Sequence, residues 1–518
     1  MDDNDDAPRH DARGDAARLG KSHSNSQLSM EPRREGSRGG RPEQADASFN
    51  TNNNKERQAA LADKKELDMA MDDIVEQKAF IWACGRNADG ELALGTVSKE
   101  GEVALPRNVK QLRDFPVRLI AASNNHTAIL TPHGDVHVAG ASLHGKLGLL
   151  GIEKKFLNKF HVVTQLAEQK VVQVCCSDYQ TLLLLETPAG RTVHCLGGPN
   201  MKDKANLPQD LNESIEVAGL QGKDIVQISC GDYHAAAVDV NGDLYTWGGG
   251  KSAQFNKGQC GQGNAEFCEH AKRVEALAEK RVEKVSCGAF HTLVVTEDKQ
   301  LYAFGSGVYG ECGHGDYGNL QVARKIEIPK SKNKASQKDK QAAEVDKLLA
   351  GGGGDMMSII DASAGGKHSM VLTGSGALYT FGFGDQGQLG HRNTDNQKTP
   401  TLVQDFDGIK VQAISAGSHH SVVQTAAGDL YACGLNKDGQ LGLGHAKAKT
   451  QFTHISAFGG INIQRFVASG NHAWFQIDEF LPFAAKYQLP APLGPQKNQD
   501  LRKAKDGGKD GKSQDGSQ

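Results

Sequence analysis

Short runs of alternating apolar and polar residues, each bounded by glycines, recur along the middle of the chain. A typical unit starts at an anchor histidine with a run such as His291–Thr296, and later continues with a run such as Leu244–Trp247. Between the two runs lies a turn, most clearly at Asn241-Gly242, a dipeptide that tolerates the positive φ angles of a two-residue hairpin. Alternation with β-branched and aromatic residues is typical of strands. Each unit is therefore predicted to be a small antiparallel meander.

The unit occurs seven times. Its anchors are 52 to 57 residues apart, with one interval of 77, and they are His126, Gln180, His234, His291, His368, His420 and His472. A fixed period of this length indicates a repeat architecture, in which one unit cannot bury its apolar face alone. We predict an all-β fold, a seven-bladed β-propeller, because a radial arrangement leaves only short, protected sheet edges.

The two ends of the repeat region complement each other. Phe80–Gly95 matches only the back half of a unit, and Phe466–Ile477 matches only the front half. Together they would complete one blade closed by both chain ends, which locks a ring. The propeller is predicted to span residues 80–482.

Three segments fall outside the pattern. Residues 1–79 are poor in large apolar side chains and are predicted to be a disordered tail, within which residues 55–78 could form a short helix. Residues 483–518 are predicted to be a second disordered tail. The long interval contains a Lys/Gly-rich insert at 330–355. A long insertion in a compact ring is either a solvated loop or a functional element, here one that contacts a partner or directs nuclear import.

The charge and hydropathy of the chain bear on its class of partner and on whether it is a membrane or secreted protein. The net charge is −3, and residues 1–79 hold 13 Lys and Arg against 17 Asp and Glu, so neither favours nucleic acid or chromatin as a partner. The chain has no apolar run near the length of a membrane span and no hydrophobic signal segment at its start. We expect a protein that is neither membrane-bound nor secreted.

The patterns of cysteine and histidine predict structural roles for these residues. The ten cysteines include no CxxC pair and fall mostly at recurring strand positions, which predicts reduced buried thiols and a nuclear or cytoplasmic location. The anchor histidines occupy equivalent positions around the ring and cannot share one active site, which predicts a repeated hydrogen bond that stabilises the fold. We assign no catalytic residue, cofactor, metal ligand or direct small-molecule substrate, and enzymatic activity is left open.

A glycine-rich segment at the end of six of the seven units, which we call the tail of the unit, carries the family resemblance. Glycine-rich motifs follow the second run of six units: Gly90–Leu92, Gly145–Gly148, Gly258–Gly263, Gly310–Gly313, Gly387–Gly390 and Gly439–Gly444. In these motifs the chain resembles the regulator of chromosome condensation repeat family, over about Phe80 to Ile477. The third unit departs from the pattern, because Gln180 replaces the anchor and no such tail follows Gly197-Gly198.

The resemblance implies two functions. Many members use the ring as a protein-interaction platform, which is our prediction for this chain, with a protein partner bound through the blade loops. The alternative is a guanine nucleotide exchange factor for a Ran-like small GTPase. In such exchange factors, acidic and histidine residues in the loops before and at the anchor contact the GTPase; the matching candidates are Asp178, Asp232, Tyr233, His368 and His419. A family wedge matches the divergent stretch Pro199–Pro208.

Overall fold

The computed structural model describes residues 80–477 apart from 98–101, 114, 150, 153, 198–213, 253, 330–356 and 460. The predicted tails at 1–79 and 483–518, the insert at 330–355 and the stretch Pro199–Pro208 lie outside the described residues. The described part is a seven-bladed β-propeller of four-stranded sheets, which confirms the predicted fold class. It contains no α-helix.

Six blades are built from consecutive strands that pair antiparallel with their sequence neighbours. Blades 1 to 6 comprise, in order, β3 to β6 (Leu119–Ala122, His126–Leu130, Val136–Ala141, Phe156–Val162), β7 to β10 (Lys170–Cys176, Gln180–Thr187, Gly190–Gly197, Ile215–Glu216), β11 to β14 (Ile225–Cys230, His234–Asp239, Leu244–Gly248, Cys268–Arg273), β15 to β18 (Val282–Cys287, His291–Thr296, Leu301–Gly305, Leu320–Ile326), β19 to β22 (Ile359–Ala364, His368–Thr373, Leu378–Gly382, Gln397–Leu402) and β23 to β26 (Val411–Ala416, His420–Thr425, Leu430–Gly434, Lys449–His454).

Blade 7 combines strands from both ends of the repeat region. Its strands are β1 and β2 (Phe80–Arg86, Glu102–Asn108) and β27 and β28 (Ile463–Ser469, His472–Ile477), in the order β2-β1-β28-β27. Strand β1 pairs antiparallel with β28, with Trp82 opposite Phe475. The ring of seven sheets therefore contains a sheet whose two halves are almost 400 residues apart in sequence.

Short 3-10 helices occur in several connections. Five of them join the outer strand of one blade to the inner strand of the next, and each buries its third residue: Lys110–Leu112, Thr164–Leu166, Glu275–Leu277, Gln404–Phe406 and Ser456–Phe458. A sixth, Leu143–Gly145, lies within blade 1. Among the described residues, no helix is both long enough and apolar enough to cross a membrane.

The hydrophobic core is divided among the gaps between neighbouring blades. One cluster, for example, packs Leu130 and Val138 of blade 1 against Val174 and Leu183 of blade 2. The second strand of a blade is buried on both faces, as in β16, because it lies between two neighbouring sheets as well as between two strands. This burial explains why the sequence between His291 and Thr296 is nearly continuous in apolar residues.

A buried hydrogen-bond relay joins adjacent blades at four interfaces. The Nε2 atom of an anchor histidine lies 2.7 to 2.9 Å from a hydroxyl oxygen of the next blade, in the pairs His126–Thr181, His234–Thr292, His291–Ser369 and His368–Ser421. Each hydroxyl in turn donates to a backbone carbonyl in the glycine-rich tail of the first blade, as Thr292 does to Gln259 at 2.9 Å. Because the hydroxyl proton is used there, Nε2–H of the histidine must be the donor. This relay confirms the predicted structural role for these four anchors. The ring nitrogens of His420 and His472 are buried without a hydrogen-bond partner among the described residues, so the predicted bond is absent at these two anchors.

The relay depends on the anchors being neutral and closely packed. Burial lowers the pKa of His234 and of His291 to about 3, so both rings are uncharged at neutral pH. In blades 3 to 6, a glycine three residues before the anchor makes room for the ring. At Gly231, for example, an added Cβ would lie 2.9 Å from Nδ1 of His234 and 2.0 Å from the Gly288 carbonyl oxygen of the next blade.

We predict that Thr292→Val destabilises the propeller by about 1–3 kcal/mol, because it leaves the buried His234 donor and the Gln259 carbonyl without their partner at nearly constant side-chain volume. Chemical denaturation of the full chain measures the change. Thr399→Val, on the exposed outer strand β22, is the matched control and should change the free energy of unfolding by about 0.5 kcal/mol or less. Equal effects of the two substitutions would contradict the role of the relay.

Candidate functional site

The inner strands of all seven blades surround a central channel of about 590 Å³. The loops that join the first and second strands of each blade stand at one end of it. We call the residues one and two positions before each anchor the channel mouth, and they are 124–125, 178–179, 232–233, 289–290, 366–367, 418–419 and 470–471. Since the sheets are antiparallel, the connections between blades lie at the opposite end.

Asp178 is held firmly in the mouth. Its carboxylate accepts hydrogen bonds from the backbone N–H and the side-chain Nδ2 of Asn124 in blade 1, at 3.1 and 2.9 Å. Its backbone carbonyl accepts one from Nζ of the buried Lys146 at 2.9 Å. Burial lowers the pKa of Lys146 to about 8, although the Asp178 carboxylate opposes that shift. These contacts fix the orientation of the Asp178 carboxylate.

Asp232 is less well satisfied. It is half-buried in the next blade, and burial, followed by repulsion from the Asp178 carboxylate, raises its pKa to about 7. Among the described residues, none donates a hydrogen bond to its carboxylate or places a positive charge beside it. A carboxylate in this position favours a cation or a hydrogen-bond donor supplied from outside the chain.

A row of half-buried aromatic side chains continues from the two acids. The rings of Tyr179 and Tyr233 are 6.1 Å apart, and Tyr233 stacks on Phe290 at 4.7 Å and on Phe255 at 4.9 Å. Burial, followed by the neighbouring Tyr179, raises the pKa of Tyr233 to about 12, so its phenol stays protonated. The row spans blades 2 to 4 and offers flat rings beside the negative charge.

The other side of the mouth has the opposite charge. The Lys367 ammonium lies 4.9 Å from the ring centre of Tyr309 and 5.7 Å from that of Phe383. Phe383 is in turn 6.4 Å from His419, whose pKa is lowered by burial and by the Lys367 charge. The mouth is therefore acidic over blades 2 and 3 and cationic over blade 5.

Small residues occupy the mouth between these two sides. Ser418 of blade 6 donates through its hydroxyl to Oδ1 of Asn124 in blade 1 at 2.9 Å, and its backbone N–H donates to the Gly470 carbonyl of blade 7 at 2.9 Å. Gly470 permits this approach, since an added Cβ would lie 2.5 Å from Cα of Asn124. Blades 6, 7 and 1 are thus joined beside the group that orients Asp178.

The structure brings four of the five predicted residues, Asp178, Asp232, Tyr233 and His419, to the channel mouth. The prediction for His368 is wrong, because its side chain is fully buried and bonded to Ser421 within the blade 5–6 interface. Histidine at the anchor itself points between blades, whereas the residues just before it face the mouth.

Several mouth residues were not predicted from the sequence. Tyr179 and Phe290 occupy the same repeat position as Tyr233, immediately before the anchor, and Lys367 occupies it in blade 5. Comparing that one position among the seven units would have revealed the aromatic row. Phe255 has no such signal, because it reaches the row from the glycine-rich tail of blade 3.

This arrangement is suited to recognition. Carboxylates, aromatic faces and an ammonium can bind a partner through charge-assisted hydrogen bonds, stacking and cation–π contacts. Within the described part of the chain, no group of three or more His, Cys, Asp or Glu side chains could hold a metal ion.

Comparisons with known proteins agree with this fold. The family model of the RCC1-like domain matches residues 80–475. The chain is 30% identical to human E3 ubiquitin-protein ligase HERC2 over 400 residues, which are 76% of this chain and 8% of HERC2. It is 29% identical to the ultraviolet-B receptor UVR8 of Arabidopsis thaliana over 333 residues, 64% of this chain and 67% of UVR8. The chain thus spans only a small part of HERC2.

Solved structures share the architecture. Prp20p from Saccharomyces cerevisiae, described with its binding properties to Gsp1p and histones, is 21% identical with a TM-score of 0.63, covering 78% of this chain and 93% of that one. Human WBSCR16 is 18% identical with a TM-score of 0.61, covering 78% of this chain and 100% of that one. At these identities the likeness shows the fold alone.

We predict that Asp232→Asn stabilises the protein at pH 8 and has little effect at pH 4. The pKa of Asp232 in the folded protein, about 7, lies above the ordinary aspartate value of 3.8, so its contribution to stability is complete below about pH 4 and is lost as pH rises from there through 7. An amide removes that loss. Thermal unfolding at both pH values measures the effect, with the exposed Asp407→Asn at the opposite end of the channel as control. A lower melting temperature at pH 8 would contradict the assignment.

Proposed function

Because this chain belongs to the RCC1-like domain family, we propose that it is a protein-interaction platform that binds a partner through the channel mouth. The observation that carries this proposal is the half-buried Asp232 carboxylate beside the aromatic row, for which the described part of the chain supplies no countercharge. Leaving a carboxylate in this state costs stability, and such costs are typical of functional sites.

The chemistry of the mouth favours a cationic segment of the partner. A lysine or arginine side chain could pair with Asp232 while its stem or guanidinium plane packs on Tyr233 and Tyr179. Asp178 would supply a second acceptor that Asn124 already orients, so little conformational entropy is lost on binding. Aromatic residues in partly desolvated positions commonly dominate binding energy.

The polarity across the mouth would also orient the partner. Lys367 over blade 5 repels a cation and attracts an acidic group, whereas Asp178 and Asp232 do the reverse. Complementary charge of this kind contributes more to orientation and association rate than to affinity. We therefore expect the partner surface to carry a basic segment next to an acidic one.

We predict that Tyr233→Ala and Asp232→Asn each weaken partner binding at least tenfold. The test uses the full-length wild-type chain as bait for quantitative capture from extract, followed by affinity measurement with each partner that is enriched. Asp407→Asn, on the opposite end of the channel, is the matched control and should bind as wild type. A partner whose affinity is weakened by Asp407→Asn and unaffected by both mouth variants would contradict the proposal.

A second candidate function is guanine nucleotide exchange on a Ran-like small GTPase. It is favoured by one observation: Asp178 and Asp232 lie together in the loops that the family resemblance assigns to GTPase contact. The described binding of Prp20p to Gsp1p is a property of that protein and supports the choice of a GTPase as probe. Such a ring would act by binding the nucleotide-free GTPase more tightly than the nucleotide-bound form, without covalent chemistry.

If this chain is an exchange factor, we predict that Asp178→Ala slows nucleotide release by a factor of about ten or more, equivalent to about 1.4 kcal/mol of transition-state stabilisation. Release of a fluorescent guanine nucleotide from a Ran-like GTPase measures the rate. Because Asn124 donates to Asp178, circular dichroism must show that the variant keeps the fold, and Asp407→Ala serves as control. An active wild type with an equally active Asp178→Ala would refute the role of Asp178. A wild type without effect on the GTPase would exclude exchange on it and leave the platform.

A further inference from the structure

One repeat position forms a second link between blades, along the wall of the channel. Five residues before the anchor, a serine hydroxyl accepts a hydrogen bond from a backbone N–H of the next blade's inner strand. The bonds are 2.9 to 3.0 Å long and join Cys287 to Ser229, Ala364 to Ser286, Ala416 to Ser363 and Ala468 to Ser415. Four consecutive interfaces, from blade 3 to blade 7, share this link.

The interface between blades 2 and 3 departs from this pattern. Cys175 stands where the serine would be, and Cys230 stands where the next blade would donate its N–H. The two Sγ atoms are 2.7 Å apart. Carbon atoms that are not bonded lie about 3.5–4.0 Å apart, and sulfur is larger, whereas a disulfide bond is about 2.05 Å long. The two thiols thus lie inside their ordinary contact distance.

Both thiols lie where a small oxidant could reach them. Cys175 and Cys230 line the central channel and are only half-buried, so a molecule of the size of hydrogen peroxide could reach them from the channel. Neighbouring thiols are directed elsewhere: Cys176 points to the Ala121 carbonyl oxygen of the preceding blade at 3.5 Å, and Cys195 contacts Oε1 of Gln180 at 3.2 Å.

We propose that Cys175 and Cys230 are an oxidation site, at which a peroxide converts the two thiols into a disulfide that links blade 2 to blade 3. One sulfur attacks the peroxide O–O bond, forming a sulfenic acid and releasing one water. The second sulfur displaces the sulfenic oxygen as a second water, and the S–S bond forms. Two thiols and one hydrogen peroxide thus give one disulfide and two waters, with two electrons passing to the peroxide.

The second step is the one that the geometry favours. Burial raises the pKa of both thiols, so they are protonated at neutral pH and the first attack is slow. Once the sulfenic acid exists, the partner thiol is already in contact with it, and such proximity replaces a bimolecular encounter. The pair should therefore end as a disulfide before further oxidation to sulfinic acid.

The cross-link would lie next to the two loops that carry Asp178 and Asp232. Cys175 lies three residues before Asp178, and Cys230 lies two residues before Asp232. A disulfide would fix the separation of the two loops that carry these acids. This consequence rests on the proposed function, whereas formation of the bond does not.

The test treats the full-length folded protein with hydrogen peroxide, blocks remaining thiols under denaturing conditions and analyses non-reduced tryptic peptides by mass spectrometry. We expect residues 171–191 linked to the peptide that contains Cys230, with the loss of two hydrogen atoms, and a higher melting temperature after oxidation. Because Cys176 lies in the same peptide, Cys176→Ser is included and should keep the cross-link.

Two variants restore residues found in other blades. Cys175→Ser inserts the serine of blades 3 to 6, and Cys230→Ala inserts the alanine found at that position in blades 1, 5, 6 and 7. Both should fold and lose the cross-link, and Cys287→Ser should keep it. If either variant fails to fold, the other decides. A folded wild type in which both thiols still react with the blocking reagent after peroxide treatment would overturn the proposal, as would a cross-link that persists in Cys175→Ser.

Discussion

The propeller depends on a buried hydrogen bond that, at four interfaces, runs from the anchor histidine of one blade to a hydroxyl of the next. A blade alone has two apolar faces and cannot bury either of them, so stability has to come from its neighbours. Hydrophobic contact supplies most of that stability but does not fix the angle between sheets. The histidine relay fixes this angle, because it connects His234, Thr292 and the Gln259 carbonyl across two blades in a buried site.

The relay also determines where recognition can occur. At these four interfaces it draws the anchor histidine between the blades, as the complete burial of His368 shows. The residues immediately before the anchor are then left at the channel mouth, outside the packed strands. Here the repeat can vary without loss of the fold, and blades 2 to 4 carry acidic and aromatic residues where blades 6 and 7 carry Ser418 and Gly470. Recognition and stability are thus assigned to adjacent positions of one repeat.

Departures from the repeat mark the same region. Blade 2 has Gln180 in place of the anchor histidine, and Cys175 in place of the serine that links inner strands in blades 3 to 6. Its interface with blade 3 therefore lacks both repeated polar links, and the Cys175–Cys230 contact occupies the place of one of them. Both proposed features, the acidic pair and the thiol pair, belong to this interface.

The sequence by itself determined the architecture, since period, alternation and glycine turns at Asn241-Gly242 and its equivalents are local properties that a single chain displays. It also located Asp178, Asp232, Tyr233 and His419. It could not determine which side chains point into the interface and which face the channel, because that depends on blades more than 50 residues apart. Tertiary packing, which alone sets burial and distance, decided the burial of His368, the stacking of Phe255 on Tyr233 and the contact of Cys175 with Cys230. It also decided that Asp232 has no partner among the described residues.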